Sequence, residues 1–525
     1  MNEFISRYGA HLSGALSGFD RLVFRGQLPL IHDAGMKGYL WASKIAWKDY
    51  AAHVAEISKQ VKQAGLDAVA SCGRPVRYLT SARESKEQMA RTIAIQDGIS
   101  QGPICAFSAV EPGLTWRVAG DRKSMKLRLQ KSMRPCLFVY QYWMDDRFGF
   151  MSTRLQTWFP FTLYVYINGR EWLARQMDQA GVEYRRADNC FPFIADFARA
   201  QTLMDEQLTT DWTGALNACA VRIHPLFPTL FANYPVAYYW TAFQSEWAMD
   251  LVFGDPGQLR RLYPQLLHLG MLELSSPDVM RFMGKKVTRG GKAAGPSHEV
   301  ITDMKTRAEG VRIKHRLGKN SIKLYDKAYT DCGAVLRPEV TINDPLPFRV
   351  FRHKAGESDD APLQWRQMRA GIADLHRRAE VSQKALDRYC DALARVDDST
   401  TLRELTQSIE RRVCWNGQPV RALHPFDPAD LQLLRAVNRG EFTINGIRNR
   451  DLQAILYSAP AEGPKQARQR SAAVSRKLRL LRAHGIIRKL SGTHRYQVTP
   501  RGRLILNAVL SAERTTTQQL TAMAA

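Results

Sequence analysis

The stretch Ser471-Ala-Ala-Val474-Ser475-Arg476-Lys-Leu478-Arg479-Leu-Leu481-Arg-Ala-His-Gly485-Ile-Ile-Arg-Lys-Leu490-Ser-Gly-Thr-His494-Arg495-Tyr-Gln-Val-Thr499-Pro500-Arg-Gly502 decides how the end of this chain folds. Val474, Leu478 and Leu481 recur at i, i+4 and i+7, which predicts a helix with one buried face, capped by Ser471 and stopped by Gly485. Ile486–Leu490 and Arg495–Thr499 read as two short strands joined by Ser491–His494, and Pro500 opens a final helix. Two helices are expected upstream. Asp427 caps one that starts at Pro428 and turns Leu431, Leu434 and Val437 to one side, and a second runs from Arg448 to Leu456. Three helices, a hairpin and a closing helix is the order of a winged helix-turn-helix.

The same segment is strongly basic. Twelve Lys or Arg and no Asp or Glu lie between Lys465 and Arg503, a field suited to phosphate. With the apolar positions turned inward, Ser475, Arg476 and Arg479 face outward where arginine can grip guanine in a major groove. Arg468 and Arg470 extend that surface, and His494 and Arg495 occupy the tip of the hairpin.

Arg482-Ala-His-Gly-Ile-Ile followed by Tyr496-Gln-Val-Thr-Pro-Arg-Gly502 resembles the helix-glycine-strand and strand-Thr-x-x-Gly pieces of MarR-like winged helices. The resemblance covers about 85 residues and implies a DNA-binding fold. Asn320-Ser-Ile-Lys-Leu-Tyr-Asp-Lys327 and Val335-Leu-Arg-Pro-Glu-Val-Thr-Ile342 resemble segments of phage and plasmid replication initiators, without the histidine pair those enzymes need. The whole chain also resembles bacterial mobile-element proteins carrying Thr157-Trp-Phe-Pro-Phe, Asn168-Gly-Arg-Glu-Trp-Leu and Glu309-Gly-Val-Arg-Ile-Lys-His.

Working back along the 525 residues, the excess of 75 Lys and Arg over 50 Asp and Glu points to a polyanionic partner. A second basic block, Arg281 to Lys327, holds thirteen Lys or Arg against four acids. Arg312, Lys314 and Arg316, with Lys323 on the next segment, alternate with apolar residues, so each set shares one face of a strand. Apolar residues at 45% exclude a disordered chain. No apolar run is long enough to span a bilayer and the N-terminus does not read as a secretory signal, so a cytoplasmic protein without membrane association is expected. The eight cysteines show no zinc or disulfide spacing and read as reduced thiols. Trp143, Trp158, Trp172, Trp240 and Trp247 read as core residues rather than base-stacking platforms.

The fold class expected is α+β and multidomain: a mixed α/β region at 1–115, a central antiparallel-sheet region at 116–355, a helical linker region at 356–420 and the winged helix at 421–525. Within these, a helix is expected from about Ala42 to Gly65, strands from Thr115 to Arg170 with a turn at Asp145–Gly149, helices from Glu171 to Met283, and an exposed loop at Thr288–Pro296. Duplex DNA is the first partner indicated, with RNA as the alternative; no cofactor motif and no metal-binding motif is present. Binding, in a regulatory or mobile-element setting, is favoured over catalysis. If the chain is an enzyme, a metal-dependent nuclease is the class to test, because Asp20, Asp145, Asp146, Glu246, Asp250, Glu309 and Glu339 could supply carboxylates. Spacing alone does not bring any of them together.

Overall fold

A computed structural model describes residues 2–518 except 82–83, 122–125, 286–299, 308–309, 355, 357–361, 395–400 and 443–445. The chain starts with α1 (Asn2–Tyr8) and β1 (Leu12–Gln27), then α2 (Asp33–Ala42), α3 (Tyr50–Ala70), β2 (Val76–Tyr78) and α4 (Lys86–Gln96). A long hairpin of β3 (Gly102–Asp121) and β4 (Lys126–Asp145) continues into β5 (Gly149–Gln156) and β6 (Leu163–Asn168). Next come α5 (Gly169–Ala180), the hairpin β7 (Tyr184–Ala187) and β8 (Cys190–Ile194), α6 (Phe197–Thr209), α7 (Trp212–Ile223), α8 (Phe227–Leu230) and β9 (Tyr239–Phe253). After α9 (Pro256–Leu272) and α10 (Ser276–Phe282) follow β10 (Val300–Arg307), β11 (Gly310–Leu317), β12 (Asn320–Thr330) and β13 (Gly333–Ile342). β14 (Arg349–Arg352), β15 (Gln364–Gln367), α11 (Leu375–Leu393), α12 (Leu402–Gln407), β16 (Val413–Trp415) and β17 (Gln418–Val420) lead to the C-terminal elements. These are α13 (Pro428–Val437), α14 (Asn449–Leu456), α15 (Pro464–Ala483), β18 (Ile487–Lys489), β19 (Tyr496–Val498) and α16 (Pro500–Arg514).

The chain is mixed α/β and divides into two compact units, each discontinuous in sequence. One comprises 14–252 and 339–383, the other 1–13, 253–338 and 384–525. In the first, the strand order is β2-β3-β4-β5-β6-β1-β9, followed by the half of β13 from Glu339 onward. β2 runs parallel to β3, and the pairings from β3 to β6 and from β6 to β1 are antiparallel. β1 pairs with β6 only from Arg21 to Gly26. Upstream, two glutamines of α6 take over the exposed backbone groups: Ser17 N–H donates to Gln201 Oε1 and Phe19 N–H to Gln207 Oε1, and each amide donates back to the same residue's carbonyl. An otherwise unpaired strand edge is thereby satisfied.

In the second unit β10, β11 and β12 form an antiparallel meander whose inner face, with Ile313, Leu317, Ile322 and Leu324, is buried. The C-terminal elements share a core in which Val474, Leu478 and Leu481 meet Leu434, Val437, Ile486 and Leu506. Burying that apolar stripe is what fixes α15.

Several expectations hold locally. Asp427 accepts from the Ala429 and Asp430 amides and caps α13, and Asp145 Oδ1 accepts from Arg147 and Phe148 in the β4–β5 turn. Trp143, Trp172, Trp240 and Trp247 are buried, and none of the eight cysteines forms a disulfide. No helix among the described residues is long and apolar enough to cross a membrane.

Others need correction. The helix expected from Ala42 to Gly65 is α3, which starts at Tyr50. A boundary at 115/116 cuts through β3, whose partner β4 lies beyond it. The third C-terminal helix begins at Pro464 rather than Ser471; proline's fixed φ suits the first turn and Lys465–Arg470 are good helix formers. The helical reading of 171–283 missed β9, which is buried on both faces between Ala248 and Phe253 and so lacks the alternation that marks a half-buried strand. Glu246 and Asp250 therefore lie on a strand, not on a helix. The Thr288–Pro296 loop and Glu309 lie outside the described residues.

Candidate functional site

Among the described residues, each unit has a place where polar groups gather in functional geometry. In the unit built on β1, the start of α5 is held close to β1: a Cβ added at Gly169 would stand 1.6 Å from the Phe19 carbonyl oxygen, so only glycine permits the approach. Asn168 caps the helix by accepting from the Arg170 and Glu171 amides. This brings the wholly buried Arg170 to Asp250 Oδ2 at 3.1 Å and to Asp20 Oδ1 at 3.8 Å. Asn189, in the β7–β8 turn, donates to Asp20 Oδ1 at 2.7 Å.

Asp20 thus has a fixed direction. Glu246 of β9 and Glu339 of β13 meet it, and one carboxylate oxygen from each lies within 4.8 Å of the other two. Asp20 and Glu339 are buried and Glu246 is half-buried. Thr341 Oγ1 stands 3.5 Å from both Glu246 Oε1 and Glu339 Oε1. Three inward carboxylates supply the hard oxygen ligands that Mg²⁺, Mn²⁺ or Ca²⁺ prefer. Of the seven acids considered from sequence these three converge, Asp250 joins through Arg170, and Asp145 and Asp146 serve the β4–β5 turn.

The second place is a cleft of about 800 Å³ between the start of α14, the middle of α15 and the β18–β19 hairpin. Arg448, Asn449, Arg450 and Gln453 line it from α14, Ser471 and Ser475 from α15, and Thr493, His494, Arg495 and Tyr496 from the hairpin. Asn449 Nδ2 donates to the Ser471 carbonyl and to Ser475 Oγ, both at 2.9 Å, which ties α14 to α15. Ile447 exchanges two backbone hydrogen bonds with Tyr496 and ties the hairpin to the same point. Burial, and after it the neighbouring Arg448, lowers the pKa of Arg495. The cleft is a place where positive charges face one another.

The expected site residues divide around this cleft. Ser475, His494 and Arg495 line it. Arg468, Arg476 and Arg479 are exposed on α15 outside it. Arg479 sits over Trp415 at 5.9 Å, and Arg470 over Tyr457 at 4.9 Å while donating to the Ala459 carbonyl. Arg448 and Arg450 were missed, although the pair Arg448-Asn-Arg450 at a helix start was a visible signal.

On the meander of the same unit, Lys314 stands directly opposite Lys323, and Arg312 opposite Tyr325, so Arg312, Lys314, Arg316 and Lys323 share one face. Burial, then Lys323 and Arg312, lowers the Lys314 pKa, while Asp303 lies 3.6 Å from Arg312. Arg312 and Lys323 are buried, Lys314 is half-buried and Arg316 is exposed.

No protein family, curated protein or solved structure matches this chain.

Proposed function

We propose that this is a nucleic-acid-binding protein whose residues 421–525 act as a MarR-like winged helix-turn-helix on duplex DNA, in a regulatory or mobile-element setting. The observation that carries the reading is the cleft at which Arg448, Arg450, His494 and Arg495 converge around the side-chain amides of Asn449 and Gln453. Guanidinium groups grip phosphate and can also pair with guanine edges, while Asn449, bonded to Ser471, Ser475 and Gln453, holds the cleft's walls in place, so one surface can both position and read a duplex. Of the basic residues expected on the meander, the half-buried Lys314 and the exposed Arg316 are the ones open to a second phosphate, while Arg312 and Lys323 are buried.

The test is fluorescence anisotropy of the full chain on duplex DNA, single-stranded DNA and hairpin RNA across a salt series. Duplex affinity that falls steeply with salt, and that Arg450→Ala and Arg495→Ala both weaken, supports the reading. Equal loss on hairpin RNA with no duplex binding would move the assignment to RNA.

The carboxylate cluster favours a second activity in the same molecule, divalent-metal-dependent phosphodiester cleavage. A cation held by Asp20, Glu246 and Glu339 would supply Lewis-acid polarisation of a phosphate and a hydroxide at neutral pH. Nicking of plasmid DNA that requires Mg²⁺ or Mn²⁺ and is lost in Glu246→Gln is the corresponding assay.

A further inference from the structure

A third surface, in the unit built on β1, uses none of the residues of the carboxylate cluster or the C-terminal cleft. The registers set Arg25 of β1 opposite Tyr164 of β6, and Tyr164 opposite Arg154 of β5. Cross-strand partners project from the same face. Val23 stands opposite Tyr166, so Arg21, two residues earlier, shares that face too. Phe243 of β9 completes it, packing edge-on against Tyr164 with ring centres 5.4 Å apart.

Each arginine lies over a ring: Arg21 over Tyr166 at 4.8 Å, Arg25 over Phe243 at 5.0 Å and Arg154 over Tyr164 at 5.4 Å. Arg154 is neutralised by Glu111 at 2.8 Å. Arg21 and Arg25 are not: among the described residues neither has a carboxylate partner, and the Nε–H of each finds no acceptor. Phe243 keeps 43% of its surface exposed. Stacked arginines that served only to cover a sheet face would be expected to find acceptors as well, since an unpaired buried donor is costly.

The geometry points to a binding face for single-stranded nucleic acid, in which Arg21 and Arg25 take backbone phosphates and the rings of Phe243 and Tyr164 stack on bases. Charge selects the occupant: two unpaired guanidinium groups call for a polyanion, and an apolar protein partner would bury them without compensation. The exposed ring selects the strandedness, because a base offers its face to a side chain only when it is out of a duplex. This face shares no residue with the proposed C-terminal duplex site, and either can fail without the other.

The experiment uses the full chain with a fluorescein-labelled oligo(dT) and a duplex of matched length. Phe243→Leu keeps the apolar volume and removes the ring; it should weaken oligo(dT) binding about five- to 100-fold and leave duplex binding unchanged. Arg25→Ala should weaken oligo(dT) in the same way, while Arg450→Ala should weaken only the duplex. A 5-iodouracil oligonucleotide should crosslink to peptides containing Tyr164 or Phe243. Oligo(dT) affinity unaltered by Phe243→Leu and Arg25→Ala, or crosslinks confined to residues 421–525, would overturn the proposal.

Discussion

Replacing Glu246 by glutamine should make the protein more stable without divalent ions and less responsive to them. Three carboxylate oxygens within 4.8 Å of one another repel by at least roughly 3.5 kcal/mol per pair at an effective dielectric of about 20. Arg170, 3.8 Å from Asp20, offsets roughly 4 kcal/mol of that on the same scale. Glu246→Gln removes two of the three repulsive pairs and breaks no contact to Arg170. Because Glu246 is half-exposed, solvent screening should reduce the gain to about 1–2 kcal/mol. With ions the order reverses. A cation at about 100 times its dissociation constant stabilises the native state by roughly 2.7 kcal/mol, which the variant should largely forgo. The assay is thermal unfolding in EDTA and in millimolar Mg²⁺ or Mn²⁺, with each kcal/mol worth a few degrees in a unit of this size, on the order of 2–4 °C. Wild-type midpoints unchanged by either ion, together with a variant that melts lower in EDTA, would refute the reasoning.

Arg495→Ala should weaken duplex binding on all sequences alike and reduce the salt slope by about one unit, measured by anisotropy between low and moderate salt. Arg479→Ala, whose side chain lies over Trp415 outside the cleft, should alter selected binding sites less than Arg450→Ala does; a reversed order in a site-selection experiment would place the reading surface on the C-terminal half of α15. Gly169→Ala should disrupt the approach of α5 to β1, where the added carbon meets the Phe19 carbonyl, and so lower stability by about 3 kcal/mol or more, checked by urea unfolding. His224 and His315 are buried with pKa values lowered to about 4 by desolvation. The unfolded chain, titrating near 6.5, binds protons first, so the stability they contribute is complete above pH 6.5 and lost as pH falls towards 4, by roughly 3 kcal/mol each. His315→Gln should flatten the acid limb of the stability–pH curve, and an unchanged limb would remove His315 from its cause.

What could be read in the linear chain was set by local physics. The C-terminal helices, the cap at Asp427, the inward triplet Val474, Leu478 and Leu481, and the shared face of Arg312, Lys314 and Lys323 all follow from local pattern within short windows. Charge followed as well, since adding up Lys and Arg needs no fold. The carboxylate cluster was legible only as a set of candidates: Asp20, Glu246 and Glu339 are brought together by the order β1–β9–β13, a pairing between strands far apart in sequence that no local pattern encodes. Glu246 was further obscured because β9, buried on both sides, carries no alternation. The outward side of α15 could be predicted, but which part of it faces a cleft could not, because Asn449 and the Ile447–Tyr496 bridge place α14 and the hairpin against Ser471 and Ser475. Side-chain direction along one element is a property of the sequence, whereas the partner it faces is decided by how distant apolar surfaces bury one another.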